Sequence, residues 1–137
     1  MSADTRLLFV YGTLLTRARG ELGVDMRARL KKVSASLGEA TIPGRLFSLG
    51  TFPVMLAPAT PSDIVHGEVL RLDDPEGVFV WLDPYEGIMP GHRRQGEYER
   101  VVRAVRLANG DEVVAWVYLY VADATDAPAI PSGRWDD

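Results

Sequence analysis

The sequence predicts a mixed α+β domain in which a mixed sheet or small barrel carries two flanking helices. Three observations predict this class: an apolar run at 6–11, a strand-like segment at 64–72, and two β-rich segments joined by an Asn-Gly pair. The chain has 137 residues, so we expect a single domain over 1–137, large enough to bury a core. The nucleotide-binding pattern G-x-G-x-x-G and the Walker pattern are absent, which argues against a doubly wound nucleotide fold.

The first half is predicted to contain one strand, one helix and a bent strand. Every residue of 6–11 after Arg6 is apolar or aromatic, so this strand should be buried on both faces. Residues 22–35 are predicted to be helical because apolar residues recur at three- and four-residue steps, at Leu22, Met26, Leu30 and Val33. TIPGRLFSL predicts a short strand bent at Pro43-Gly44. The following LGTFPVMLAPATP predicts an irregular, partly buried loop.

A second helix is predicted after the strand at 64–72. Asp74 would cap it, Pro75 would take the first helical position, and Glu76 would place an acid in the positive first turn. Pro84 should end or kink this helix. Its apolar side would consist of Val78, Phe79, Leu82 and Tyr85. The aspartates around the helix are interpreted as a cap and as a solvent-facing acid, and they are Asp73, Asp74 and Asp83.

The second half should end in a hairpin and an irregular tail. Strands are predicted over 98–107 and 112–120, joined by 108–111, because Asn-Gly favours the positive backbone angles of a tight hairpin. The tail DATDAPAIPSGRWDD is predicted to be irregular, with Trp135 packed back on the body.

Composition limits the function classes. The chain has no cysteine, which removes disulfides, thiolate catalysis and cysteine-based zinc sites, and two histidines, His66 and His92, make a histidine-rich metal site improbable. A net charge of −4 disfavours a nucleic-acid partner. No segment approaches the roughly 20 apolar residues of a membrane span, and the first residues do not resemble a signal peptide, so we expect a cytoplasmic protein.

One basic cluster remains, and its members are Arg27, Arg29, Lys31 and Lys32. We interpret it as the solvated face of a helix. A protein that uses this cluster with 93–94 as a basic interaction face is the alternative, and the net charge disfavours it.

Two stretches carry residues suited to chemistry, and each has a plain alternative. Glu86 lies just past the second predicted helix among apolar and aromatic neighbours, so desolvation should raise its pKa above about 4.3 and make it a candidate proton acceptor. A glutamate on a surface turn is the alternative. In LLFVYGTLL, Gly12 permits backbone angles that other residues avoid, and the amides of 12–14 would converge on an anion. A tight turn with Thr13 as a local cap is the alternative. No G-x-S-x-G motif supports a nucleophilic serine.

Five segments, in this order, resemble the gamma-glutamylcyclotransferase-like (AIG2-like) family: FVYGTL, PGRLFSLGTFP, VHGEVLRL, LDPYEG and YER. Together with the closing hairpin after YER, the order matches from residue 7 to about 120, and IPSGRW resembles a tail of many members. The resemblance implies a small β-barrel-like domain with flanking helices and one cavity. It also implies that the α-amine of a γ-glutamyl group attacks its own γ-carbonyl, giving 5-oxoproline and a released amine or amino acid. No metal or organic cofactor is implied, and the partner would be a small γ-glutamyl substrate.

By position, Glu86 matches the general base of the family. The residues that match its substrate-gripping loop are Tyr11, Gly12, Thr13 and Leu14. Tyr98 and Tyr118 fall in strands where the family places pocket-lining aromatics. Thr13 replaces a common serine, which keeps the hydroxyl. The link GIMPGHRRQGE is longer than usual and would be a lid or a mobile loop. A non-catalytic module that binds a small metabolite or a protein in the same cavity is the alternative function.

Overall fold

The computed structural model describes residues 5–15, 18, 23–88, 94–95, 98–122, 124 and 126–135, with backbone alone at 94–95. Two helices and eight strands are defined over these residues. In chain order they are β1 (Leu7–Val10), α1 (Val24–Lys32), β2 (Ser34–Pro43), β3 (Arg45–Ser48), β4 (Pro53–Leu56), β5 (Ile64–Leu72), α2 (Pro75–Tyr85), β6 (Arg94–Gln95), β7 (Tyr98–Leu107) and β8 (Glu112–Tyr120).

Five strands close into a small barrel in the order β2-β5-β1-β8-β7. The barrel closes because β7 also pairs with β2, at Ala40–Leu107 and Thr41–Arg106. The pairing of β1 with β8 is parallel, and the other barrel pairings are antiparallel. The predicted fold class, a barrel-like mixed sheet with flanking helices, is confirmed. No helix among the described residues is long and apolar enough to cross a membrane.

The apolar run in β1 is explained by its position between β5 and β8. Alternate side chains of a strand point to opposite faces. Leu8 and Val10 pack in a cluster with residues of both helices. Phe9 and Tyr11 pack in a second cluster, with side chains from the other four barrel strands. Both faces of β1 are therefore buried, as predicted.

The first predicted helix is shorter than its apolar pattern suggested. Residues from Ser34 onward form β2, which pairs with β5 over nearly its whole length, so the sheet hydrogen bonds win over helical continuation. Leu30 is buried, and Met26 and Val33 pack against the same cluster as predicted, while Leu22 lies outside the described residues.

The predicted bent strand is two strands that meet at Gly44. The prediction of an irregular loop after it was wrong at 53–56, because PVML forms β4 and pairs with β3. Pro53 is tolerated because it is the first residue of a strand in a two-stranded sheet.

The second helix begins at Pro75 as predicted and ends one residue after Pro84. Asp74 occupies the N-cap position, but its side chain makes no capping hydrogen bond, so the predicted cap was wrong. The prediction that Asp83 faces solvent was also wrong, since Asp83 is only 5% exposed. It lies four residues after Phe79 and so shares its inward face. Tyr85, expected on that face, is 37% exposed.

The predicted hairpin is confirmed by nine residue pairs between β7 and β8. Only Gly110 has a positive φ, of 95°, so the connection is a longer loop than a two-residue turn with two such residues. In the tail, Trp135 is buried in the cluster inside the barrel, as predicted. An isolated bridge between Ala129 and Phe47 also holds the described part of the tail to the body.

Candidate active site

A cavity of about 250 Å³ lies where β1 ends, bordered by the end of α2 and by β4, β7 and β8. Its lining consists of residues 9–14, Phe52, Pro53, Tyr85, Glu86, Tyr98 and Tyr118. All seven site residues predicted from the sequence are in this lining. Tyr11 and Tyr118, which are more than 100 residues apart in the chain, therefore line the same cavity.

The turn after β1 forms one wall of the cavity. The Leu15 N–H donates to the Gly12 carbonyl at 3.0 Å, which closes a four-residue turn. Gly12 does not have a positive φ, so the expectation of unusual backbone angles there was wrong. A Cβ at Gly12 would instead lie 2.8 Å from Pro53 Cγ. The position needs a glycine because Pro53 packs directly on the backbone.

The first helix holds this turn from outside. Arg27 donates from a guanidinium nitrogen to the Thr13 carbonyl at 2.7 Å. Across the described part of the chain, no group accepts a hydrogen bond from the amides of Gly12, Thr13 and Leu14. The turn therefore directs a carbonyl to α1, and its residues 12–14 lie in the cavity wall.

The basic cluster is only partly a solvated face. Arg29, Lys31 and Lys32 are exposed as predicted. Arg27, however, is half-buried against the turn, and the Arg29 guanidinium lies 4.2 Å from the centre of the Trp81 ring. Two of the four cations thus make specific contacts, which their spacing in the sequence did not indicate.

Glu86 sits at the C-cap of α2 in a Schellman motif. The Ile88 N–H donates to the Asp83 carbonyl at 2.8 Å, and the Gly87 N–H to the Pro84 carbonyl at 3.0 Å. Gly87 has a φ of 88°, the left-handed conformation that this motif requires. Ile88 is fully buried beside Leu82 and anchors the motif. Residues 86–88 therefore have a defined backbone, and Glu86 contributes to the cavity wall.

The environment of Glu86 favours its neutral form. Burial of the carboxyl, and then the nearby negative charge of Asp83, raise the pKa of Glu86 from 4.5 to about 7. The direction agrees with the prediction from the apolar neighbours in the sequence. A carboxyl group with a pKa near 7 accepts and returns protons close to neutral pH.

Two cavity tyrosines use their hydroxyl groups within the protein. The Tyr11 hydroxyl donates to the Tyr118 carbonyl at 2.8 Å, and the Tyr118 hydroxyl donates to Asp83 Oδ1 at 2.6 Å. Burial raises the pKa of both phenols well above 10.0, so both remain neutral donors. Tyr98 packs edge-on against Tyr120 at 5.3 Å between ring centres.

Asp83 and Arg100 are the residues that sequence reasoning missed. Arg100 Nε and a terminal nitrogen donate to the two oxygens of Asp83 at 2.9 and 3.1 Å. The signal was present, since Asp83 belongs to LDPYEG and Arg100 to YER. Nothing in those motifs indicated that the two side chains meet.

The predicted absence of a metal site and the proposed lid are addressed only in part. No group of three or more metal-binding side chains occurs among the described residues. His66 lies in β5 and lines other cavities. His92, Arg93 and most of the link after Gly87 lie outside the described residues, so the choice between lid and loop stays open.

Comparison with known protein families identifies the chain. The model of the family described as "Gamma-glutamyl cyclotransferase, AIG2-like" matches residues 8–137. The chain belongs to this family. Among curated protein sequences, none matches it. Membership of the gamma-glutamyl cyclotransferase family suggests a cyclotransferase-type activity.

Solved structures of similar fold agree with this membership. An AIG2-like protein from Mus musculus has a TM-score of 0.71 at 21% identity, with 96% of this chain and 88% of that chain covered. YkqA from Bacillus subtilis has a TM-score of 0.66 at 25% identity over 95% of this chain, which spans only 39% of YkqA. A protein named gamma-glutamyl cyclotransferase has a TM-score of 0.58 at 18% identity, with 90% and 68% covered.

Proposed function

We propose that this protein is a γ-glutamyl cyclotransferase that converts a γ-glutamyl amine or γ-glutamyl amino acid into 5-oxoproline and the free amine. One observation carries the proposal: Glu86, whose pKa is raised to about 7, lines the same cavity as the 12–14 turn. Membership of the family supports the reaction type. A cytoplasmic setting is part of the proposal, on composition alone.

In the first step, Glu86 accepts a proton from the α-ammonium of the substrate. A free α-amino group has a pKa near 8, so at neutral pH most of it is protonated and not nucleophilic. A base whose pKa is about 7 is well matched to this transfer. The freed amine then attacks the γ-carbon, and a new C–N bond closes a five-membered ring.

In the second step, the γ-amide C–N bond breaks and Glu86 returns its proton to the departing nitrogen, while the ring nitrogen loses its second proton, which the released amine takes up. The reaction is balanced within the substrate, since one C–N bond forms and one breaks. Because the attack is intramolecular, a cavity that holds the γ-glutamyl chain folded supplies much of the rate enhancement. The apolar side chains of Phe9, Phe52 and Pro53 suit this enclosure.

The 12–14 amides suit either of two tasks in this scheme. They would anchor the α-carboxylate, or they would stabilise the oxyanion that forms at the γ-carbon, a contribution of about 3–4 kcal/mol per donor. Tyr11 and Tyr118 would shape the wall with hydroxyls already engaged inside the protein. Tyr98 would contribute aromatic surface to the substrate pocket.

The test is direct measurement of 5-oxoproline from the purified protein with a panel of γ-glutamyl amino acids and γ-glutamyl amines. We expect turnover by the wild type and its loss in Glu86→Gln. Equal activity of the two would remove Glu86 from its role. Binding of glutamyl ligands or 5-oxoproline without turnover, across the whole panel, would favour the alternative of a metabolite-binding module.

A further inference from the structure

Asp83 is the buried acid that the proposed mechanism does not use. It is 5% exposed, and both of its oxygens bind Arg100 in a two-pronged ion pair. Tyr118 adds a third hydrogen bond. Neither Asp83 nor Arg100 is in the lining of the cavity, so neither is in position to touch a substrate there. An expensive buried charge thus lies directly behind the wall that carries Glu86.

The partner of Asp83 is itself held by aromatic rings. The Arg100 Cζ atom lies 3.9 Å from the centre of the Phe79 ring and 4.5 Å from that of Trp116. A guanidinium against two ring faces gains cation–π attraction while it stays paired. Phe79 belongs to α2, Arg100 to β7 and Trp116 to β8, so the pair ties the end of the helix to two barrel strands.

The same aspartate also organises the backbone that carries Glu86. Its carbonyl accepts hydrogen bonds from the N–H of Glu86 at 3.0 Å and of Ile88 at 2.8 Å. The chain of contacts continues to the opposite wall, because the Tyr118 carbonyl accepts a hydrogen bond from Tyr11. Asp83 therefore connects Glu86, through one side chain and one carbonyl, to β8 and to the end of β1.

We propose that the Asp83–Arg100 ion pair, with Tyr118, is the positioning unit of the site: it fixes the turn at 86–88 against the barrel and supplies Glu86 with a negatively charged neighbour. Asp83 and Arg100 act through Glu86 and not on the substrate, whereas Tyr118 also lines the cavity. The effect of this unit on catalysis rests on the proposed function. Its effects on the position and the pKa of Glu86 do not depend on whether the protein turns over a substrate.

The other described titratable groups around Glu86 do not place a charge beside its carboxyl group. Among the described residues, the titratable side chains that share its cavity are phenols, namely Tyr11, Tyr85, Tyr98 and Tyr118. None of these carries a positive charge to compensate Glu86. The negative charge of Asp83 contributes, after burial, to the raised pKa of Glu86. Asp83 and Arg100 should therefore move the titration of Glu86 in opposite directions.

The experiment follows the Glu86 carboxyl by NMR titration of protein labelled with ¹³C at the glutamate side-chain carboxyl, with Glu86→Gln used to assign the signal. In Asp83→Asn, the loss of a like charge should shift the midpoint down by about one unit or more. In Arg100→Met, the uncompensated Asp83 should shift it up. Arg100→Lys, which keeps the charge, should stay nearer to wild type.

An ion pair that only stabilises the fold would not give shifts of opposite sign. An unchanged midpoint in folded Asp83→Asn, or shifts in one direction for both single variants, would overturn the proposal. Should a single variant fail to fold, the double variant Asp83→Asn/Arg100→Met leaves no unpaired charge. Its midpoint must still lie below that of the wild type.

Activity provides the second readout. The acidic limb of the kcat/KM profile should move to lower pH in Asp83→Asn by the same amount as the NMR midpoint, with KM changed less than twofold. If no γ-glutamyl compound is turned over but the midpoints shift as expected, the proposed reaction fails while the positioning unit stands. If turnover is present and the midpoints do not shift, the reverse holds.

Discussion

The last turn of α2 and the turn that follows it each hold one carboxylate, and their surroundings differ. Asp83 has two hydrogen bonds from Arg100 and one from Tyr118, which offset the cost of burial. Glu86, three residues later, has no such described partner and faces the cavity, where burial raises its pKa to about 7. Two acids at the same helix end therefore differ in role: the paired Asp83 stabilises the structure, and Glu86 is suited to proton transfer. Their surroundings decide this difference, and the residue type does not.

The largest expected effect is on activity, and it comes from replacing Glu86, the carboxylate that faces the cavity. Glu86→Gln keeps the shape of the side chain and removes the base, so the rate of 5-oxoproline formation should fall by roughly 10²–10⁴-fold. Steady-state kinetics at pH 7 measure it. Glu76→Gln, at an exposed position in the first turn of the same helix, is the matched control and should keep full activity.

The next largest effect is on stability, and it tests the ion pair of Asp83. Arg100→Met leaves Asp83 buried without its partner, which should lower the free energy of unfolding by roughly 3–5 kcal/mol. Urea unfolding at neutral pH measures the change. Arg106→Met is the control, since Arg106 and Glu112 form an exposed pair at 3.9 Å that should contribute less than about 1 kcal/mol. Similar losses of stability in both variants would contradict the difference between the buried and the exposed ion pair.

A smaller effect is the dependence of stability on pH that the raised pKa of Glu86 causes. The pKa of Glu86 is about 7 in the folded protein against 4.5 for the unperturbed group, so between these values the folded state binds more protons than the unfolded chain. The contribution to stability is therefore full below about pH 4.5 and is lost as pH rises to 7. The loss should be on the order of 2 kcal/mol, allowing for partial exposure.

Unfolding curves of wild type and Glu86→Gln at several pH values measure this contribution. The variant lacks the ionisable group, so its stability relative to wild type should rise across that interval and level off above it. A constant difference over the whole range would mean that Glu86 titrates normally.

The smallest effect concerns the opposite wall. Arg27→Met removes the hydrogen bond to the Thr13 carbonyl and loosens the 12–14 turn, so KM for a γ-glutamyl substrate should rise by about fivefold, or roughly 1 kcal/mol. Arg29→Met serves as the control, because Arg29 stacks on Trp81 and not on the turn. An equal rise in both variants would point to a general effect of charge.

Local patterns were sufficient where one segment carries the whole signal. Hydrophobicity and turn residues were enough to predict β1, the strand at 64–72 and the β7–β8 hairpin. The left-handed Gly87 lies, as is usual for a glycine, just after the end of a helix. Patterns failed where distant segments compete. Residues 34–35 continue a helical pattern but pair with β5, and PVML resembles a loop until β3 supplies a partner.

The sequence by itself determined the class of fold, both helices, the strands β1, β5, β7 and β8 and, through five motifs that resemble one family, seven of the residues that line the cavity. Tertiary structure alone decided which charges are compensated. Asp83 looked like a surface acid because no local pattern encodes an arginine 17 residues away with rings from α2 and β8 around it. Hydrophobic periodicity is a property of neighbouring residues, whereas the pairing of buried charges depends on where the closed barrel brings separate strands together.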